Sequence, residues 1–193
     1  MTPVTLYLAW EDVPKVLAIA AGEDGNHEEN GQNDGTCAKY QLAIGGQEAV
    51  DRHDSWCLYF VLWCFLALVG EDMAQLKGLV PAVTGSCEDF RQAARRRGRL
   101  LPRGTAPLPG DIGLVVNTAA DHAHHAFLVG QGRVDGGAVP TIEGNSNNTG
   151  GSNGDGTYER RARWGATDPS THGGQNHYEL VRLTDPAVPC PLD

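Results

Sequence analysis

The sequence predicts an α+β fold, with N-terminal helices packed on an antiparallel β-sheet. Helix-type apolar spacing is confined to the first half of the chain. After Pro109-Gly110-Asp111 come short β-type runs separated by Gly, Asn, Asp and Pro. Helices first and strands second is the α+β order, not the alternation of a parallel sheet. The 193 residues suit one domain spanning 1–193, with a helical half at about 12–98 and a β half at about 107–183. With 25 glycines and 11 prolines, turns and loops should be abundant.

Asp12 is placed to cap a helix whose apolar positions Val13, Val16, Leu17 and Ala20 share one face, with Gly22 as its stop. Residues 23–36 hold Asp24, Glu28, Glu29, Asn30, Asn33 and Asp34 among glycines, and read as a solvated loop. Ser55 precedes the run Trp56–Val69, apolar on all sides and therefore central to the fold. Ser86 followed by Asp89 resembles a capping box that opens a third helix ending near Gly98. Strands are expected at Ile112–Val116, His125–Val129, Val139–Glu143 and Tyr178–Leu183, with Asp135-Gly136-Gly137 as a hairpin turn. Residues 144–157 are Gly, Asn, Ser, Thr and Asp only, and read as a mobile loop.

Charge and composition exclude several function classes. The formal net charge is −9 and the pI about 5.1. A sequence-independent grip on nucleic acid or anionic lipid needs a concentrated basic surface, which is lacking. The basic run Arg95-Arg96-Arg97 reads as a solvated helix end, where cations suit the dipole. The Trp56–Val69 run falls short of the ~20 residues that span a bilayer, so no membrane insertion is expected. The start, MTPVTLYLAWEDV, lacks the basic and apolar regions of a signal peptide. Five cysteines (37, 57, 64, 87 and 190) form no CxxC pair, which argues against a disulfide framework or a zinc ribbon.

Cys57 falls in the first turn of the most hydrophobic helix. Free amides and the positive dipole end stabilise a thiolate there, and the same amides can donate to an oxyanion. Cys64, two turns further on, reads as a small core residue, and the same plain reading is open to Cys57. A nucleophilic thiolate needs a base, and the base an orienting group. His125 begins the strand HAFLVG and Glu143 ends the strand TIEGN. Paired as a hairpin, the two would lie side by side, with Asn145 placed to hold either the ring or the oxyanion. A helix-head Cys, a strand His and a strand Glu, in that order, form a candidate catalytic set.

These residues resemble a family. Ser55-Trp56-Cys57 with Phe60-Val61 and Trp63 is similar to the nucleophile helix of the CHAP domains of the NlpC/P60 superfamily, the amidases and endopeptidases of peptidoglycan. Pro107-Leu108-Pro109-Gly110-Asp111-Ile112 resembles that family's approach to its first strand. His125-Ala126-Phe127-Leu128-Val129-Gly130 and Thr141-Ile142-Glu143-Gly144-Asn145 resemble its His and Glu strands. Ala20-Ala21-Gly22-Glu23 and the loop to Tyr40 are similar to the lead-in helix of phage and actinobacterial members. The resemblance spans roughly residues 12–183. It implies a papain-like fold, with Cys57 as nucleophile, His125 as base, Glu143 and Asn145 as orienting groups, and Trp56 with the two polar loops as walls of a substrate groove.

It further implies bacterial peptidoglycan as partner. With no signal peptide and a net negative charge, the chain is expected in the host cytoplasm until lysis or on a phage or phage-like particle. Targeting is expected from a partner such as a separate wall-binding subunit, from a holin-type release, or from a part of the polypeptide beyond these residues. His124 is the alternative base. A metal held by Asp121, His122, His124 and His125 lacks the remaining ligands in the sequence, and no cofactor is expected. Calcium in the 23–36 loop is the one exception considered, although the EF-hand spacing is absent. Trp164 and the histidines from His172 to His177 align with nothing in the family. The second function class is a catalytically idle CHAP-like structural or wall-docking component of a tail-like particle.

Overall fold

The computed structural model describes residues 6–132, 138–146, 154–163 and 176–191. The expected hairpin turn at 135–137, the middle of the 144–157 loop, Trp164 and His172 lie outside the described residues. Helices α1 (Val13–Ala21), α2 (Ala38–Gly45), α3 (Gln47–Asp51), α4 (Cys57–Leu68), α5 (Met73–Leu79) and α6 (Cys87–Arg96) come first. Strands β1 (Ile112–Asn117), β2 (His122–Val129), β3 (Ala138–Ser146), β4 (Gly156–Arg163) and β5 (Asn176–Val181) follow. They form one sheet in the order β4-β3-β2-β1-β5, every neighbouring pair antiparallel. The α+β class and the papain-like disposition, helices packed on an antiparallel sheet, are thus observed.

Each helix has a local cause. Val13, Val16, Leu17 and Ala20 form the buried stripe of α1, as their spacing requires. Asp12 sits at the cap position of α1, but its carboxylate binds Lys15 Nζ at 2.7 Å instead of a backbone amide. Ser86 does cap α6: its hydroxyl accepts from the Asp89 amide at 3.1 Å. Helix α4 is buried nearly all round, with Leu58, Phe60, Val61, Leu62, Cys64 and Phe65 wholly covered. Among the described residues no single helix is long and apolar enough to cross a membrane, and α4 meets α5 at a bend of 114°. Helices α2, α3 and α5 were not anticipated, and α5 did leave a local trace. Its signal was Asp72, whose Oδ1 accepts from the Ala74 and Gln75 amides.

Most apolar side chains of the helices meet one face of the sheet in a single core, and a smaller cluster (Val115, Phe127, Val129, Val139 and Leu180) covers the other face. At the lead-in to β1, Asp111 is buried and accepts two hydrogen bonds from Arg182 (2.8 and 2.7 Å) and one from the Leu108 amide (2.8 Å). Its role is to lock β1 to the end of β5.

The strands differ from the sequence reading in two ways. Strand β4 was unforeseen, because its sequence, GTYERRAR, lacks the apolar alternation that marks a half-buried strand. Strand β2 begins at His122, so His125 stands inside the strand and not at its start. The 23–36 loop is tied to β4: the Gly25 amide donates to Thr157 O, the Thr157 amide to Asn26 O, and the Glu28 amide to Asp155 O. The two loops expected to flank a groove therefore bond to each other.

Candidate active site

Cys57 opens α4, where its amide precedes the first helical hydrogen bond of that helix, Phe60 N to Trp56 O (2.9 Å). The helix packs against β2 and β3, which bring His125 and Glu143 to its head. Each of these strands carries an irregularity beside the residue it presents. Between β1 and β2 the register jumps from Val115–His125 to Val116–Ala123, leaving His124 as the extra residue. Between β3 and β4 it jumps from Glu143–Tyr158 to Ser146–Gly156. Asn145 takes a left-handed backbone (φ 51°) in that second bulge, a conformation Asn tolerates better than most residues.

His125 Nε2 lies 3.1 Å from Glu143 Oε2, and both side chains are almost wholly buried. Glu143 is held in turn: Oε1 accepts from the Thr141 hydroxyl (2.7 Å) and Oε2 from the Ser146 hydroxyl (3.3 Å). His125 Nδ1 is buried and has no hydrogen-bond partner at ordinary geometry among the described residues. With Nε2 engaged by Glu143, Nδ1 is the nitrogen left to face the thiol.

The electrostatics agree with that placement. The thiol of Cys87, 3.7 Å from Cys57 Sγ, does most to bring the Cys57 thiol well below its ordinary range. Burial opposes this, while the His125 ring and the Ala126 amide act with Cys87. Burial pushes the His125 imidazole down, but Cys57 and Glu143 together outweigh it and raise His125 to about 10. The Cys87 thiol is raised, by the neighbouring Cys57 sulfur first and burial second. The site thus favours one thiolate, on Cys57, beside a charged imidazole. Cys64 shows the contrast, since burial first and Glu23 second drive its thiol well above the ordinary range, outweighing the opposite pull of a backbone hydrogen bond and Lys39.

Cys57, His125 and Glu143 are brought together. Asn145 is close by but does a different job. With its amide oriented to satisfy both neighbours, its oxygen accepts from the Trp56 amide (3.2 Å) and its nitrogen donates to Gly154 O (2.8 Å). It ties the Trp56 amide, just before the head of α4, to the Gly154 carbonyl, and these two bonds are not to the His125 ring. Trp56 is corrected outright as a groove wall: it is wholly buried, stacks on Tyr40 at 5.4 Å, and donates from Nε1 to Glu28 Oε1 (2.7 Å). A side chain without exposed surface cannot line a groove. His124 is exposed, with Nε2 3.3 Å from Asn176 Oδ1, and it is His125 that meets Glu143.

The loop considered for calcium spends its oxygens on its own chain. Asp34 accepts from the Glu29 and Asn30 amides, Glu28 from Asn33 and Trp56, and Glu23 from Tyr40 and Asn26. Among the described residues no group of three or more His, Cys, Asp or Glu side chains converges as metal ligands. Cys87 was missed in the sequence. Its signal was the Ser86 capping box, which sets it at the head of α6 as Cys57 is set at the head of α4. Beside both heads is a cavity of about 370 Å³ whose lining includes Arg52, Asp54, Ser55, Tyr59 and Ser86.

No family model matches the chain, and no curated protein matches it. Two solved structures to which it is similar are the crystal structure of Ly7917 and that of Ly7917 with the hydrolyzing product of MDP. Identity is 15% and 16%, coverage of this chain 88% and 89%, and the TM-score 0.43 for each. The chain spans 62% and 63% of the length of those two chains, less than two thirds. A likeness at this level transfers no residue role and no substrate.

Proposed function

We propose that this chain is a cysteine-dependent peptidoglycan hydrolase that cleaves an amide bond of the stem peptide or of the glycan–peptide link. The observation that carries the reading is the buried series Cys57, His125, Glu143, in which a helix-head thiol is biased toward thiolate and a histidine is oriented by a carboxylate. The substrate class comes from the CHAP-like patches around these same residues.

In this mechanism the Cys57 thiolate attacks the amide carbonyl carbon, and amides of the first turn of α4 receive the oxyanion. The tetrahedral intermediate collapses as His125 gives its Nδ1 proton to the leaving amine nitrogen. His125, now neutral, takes a proton from water, whose hydroxide attacks the acyl carbon and releases the carboxylate and the Cys57 thiolate. Glu143 fixes the ring orientation throughout through Nε2. Access to wall peptides would come through a phage-like particle or a separate wall-binding subunit, at the cell wall.

One observation favours the second reading, an idle docking component: Cys57 is only 2% exposed. Mass spectrometry of soluble fragments from purified peptidoglycan, incubated with wild type and with Cys57→Ala, separates the two. Fragments released by wild type alone are expected, and their new termini name the bond. No release from several wall types, with calcium added or chelated, would overturn the hydrolase reading in favour of the docking one. Release that survives Cys57→Ala would remove the thiol from the mechanism.

A further inference from the structure

Five cysteines are free, and two of them stand apart from the rest. Cys57 and Cys87 each occupy the first position of a helix, 30 residues apart in sequence, with their sulfurs 3.7 Å apart. Cys37 and Cys64 are each buried, and burial raises both thiols, Cys37 to about 12. The ~370 Å³ cavity is lined by Ser86, the residue before Cys87, and by Ser55, two residues before Cys57, so it brings solvent to within one or two residues of both helix heads.

We propose that Cys57 and Cys87 are a peroxide-reactive pair, with Cys57 the attacked thiol and Cys87 the resolving thiol of a reversible disulfide. The regulatory meaning rests on Cys57 being the hydrolase nucleophile, since the disulfide would remove it. The chemistry does not rest on that reading.

The oxidant is hydrogen peroxide or an alkyl hydroperoxide. The Cys57 thiolate attacks the terminal peroxide oxygen; the O–O bond breaks and, with one proton, water or an alcohol leaves. Cys57 is oxidised to the sulfenic acid and the peroxide is reduced. Cys87 sulfur then attacks Cys57 Sγ, forming the S–S bond and expelling hydroxide, which leaves as water with the Cys87 proton. Net, two thiols and one peroxide give one disulfide and two waters (or water and alcohol). A disulfide of ~2.05 Å needs the sulfurs to close by about 1.7 Å from 3.7 Å, which side-chain rotation at two helix heads can supply. A dithiol reductant reverses the bond by exchange. Without Cys87, Cys57 has no neighbour to trap the sulfenic acid and proceeds to sulfinic acid.

The test treats the reduced full chain with hydrogen peroxide, alkylates the remaining free thiols, and measures intact mass and non-reducing peptide maps. The expected result is a loss of about 2 Da before alkylation and two fewer alkylated cysteines. Trypsin leaves residues 53–77 joined to residues 78–91, and fragmentation must place the bond at Cys57, because Cys64 lies in the same peptide. In Cys87→Ala, checked for folding by circular dichroism, Cys57 should instead gain about 32 Da. A Cys57 sulfinic acid in wild type with Cys87 still alkylatable, or a bond at Cys64, overturns the proposal. If the disulfide forms but the reduced chain releases nothing from walls, the hydrolase reading fails and the pair stands. If walls are digested and no disulfide forms, the pair alone fails.

Discussion

In the proposed mechanism His125 loses a proton to an amine and regains it from water, and its neighbours Cys57 and Glu143 set the pH range in which it could. Cys57 is held below the usual thiol range and His125 raised to about 10, so the ion pair exists between those limits. Below the lowered Cys57 value the thiolate is lost. Above about 10 the imidazolium is lost, and with it the proton for the leaving amine. Release of wall fragments, measured as kcat/KM against pH, should therefore trace a broad bell whose alkaline limb lies near 10. A flat profile across the alkaline range would show that His125 does not supply the proton. The same signs hold for stability. His125 contributes below its unfolded value and loses that contribution as pH rises through about 10, while Cys57 contributes above its unfolded value and loses it as pH falls through its lowered one.

At the scale of elements, the site is the line where α4 crosses β2 and β3, and one glycine sets how closely they approach. A Cβ on Gly144 would stand 2.6 Å from Phe60 Cβ and 2.7 Å from Trp56 Cζ3. Both rings are wholly buried, so the helix or the strand must move. Gly144→Ala should destabilise the chain by about 1–3 kcal/mol in denaturant unfolding, and should slow fragment release by shifting the Cys57 helix head from His125. Unchanged stability and rate would mean that β3 yields without disturbing the site. The bulges at His124 and Gly144-Asn145 act at the same scale, since each re-aims the side chain next to it.

At the scale of the molecule, α6 is bound to the edge strand β5 and to the β1–β2 turn through a buried cation. Arg91 is 1% exposed; it donates to both oxygens of Glu179, to Asp121 Oδ1 and the Asp121 carbonyl, and to Glu88, whose Oε2 also accepts from the Ala123 amide. This network fixes the head of α6, with Cys87, relative to the start of β2. Burial works against ionising Glu88 and Glu179, yet the Ala123 amide and Arg91 outweigh it and hold both carboxyls below the usual range. Depressed carboxyls add stability above their unfolded value of about 4.3 and lose it as pH falls through their folded ones. Denaturant midpoints should therefore fall steeply below about pH 4, and Arg91→Met should flatten that fall while lowering the midpoint at neutral pH. A variant whose midpoint tracks wild type at every pH would show that the network contributes nothing.

What could be read along the chain was local. The apolar stripe of α1, the all-round apolarity of α4, the Ser86 cap and the β-type runs of β1, β2, β3 and β5 follow from nearest neighbours and periodicity, and with them the α+β class. Cys57, His125 and Glu143 could be picked out because a helix head and two adjoining strands are short-range features. Partners across the fold leave no such trace. The burial of Trp56, the turning of Asn145 toward the Trp56 amide, the contact of Cys87 with Cys57 and the docking of the 23–36 loop on β4 depend on segments far apart in sequence. Each is settled by packing, because a side chain's exposure and hydrogen-bond partners are properties of the assembled layers and not of its own stretch of chain.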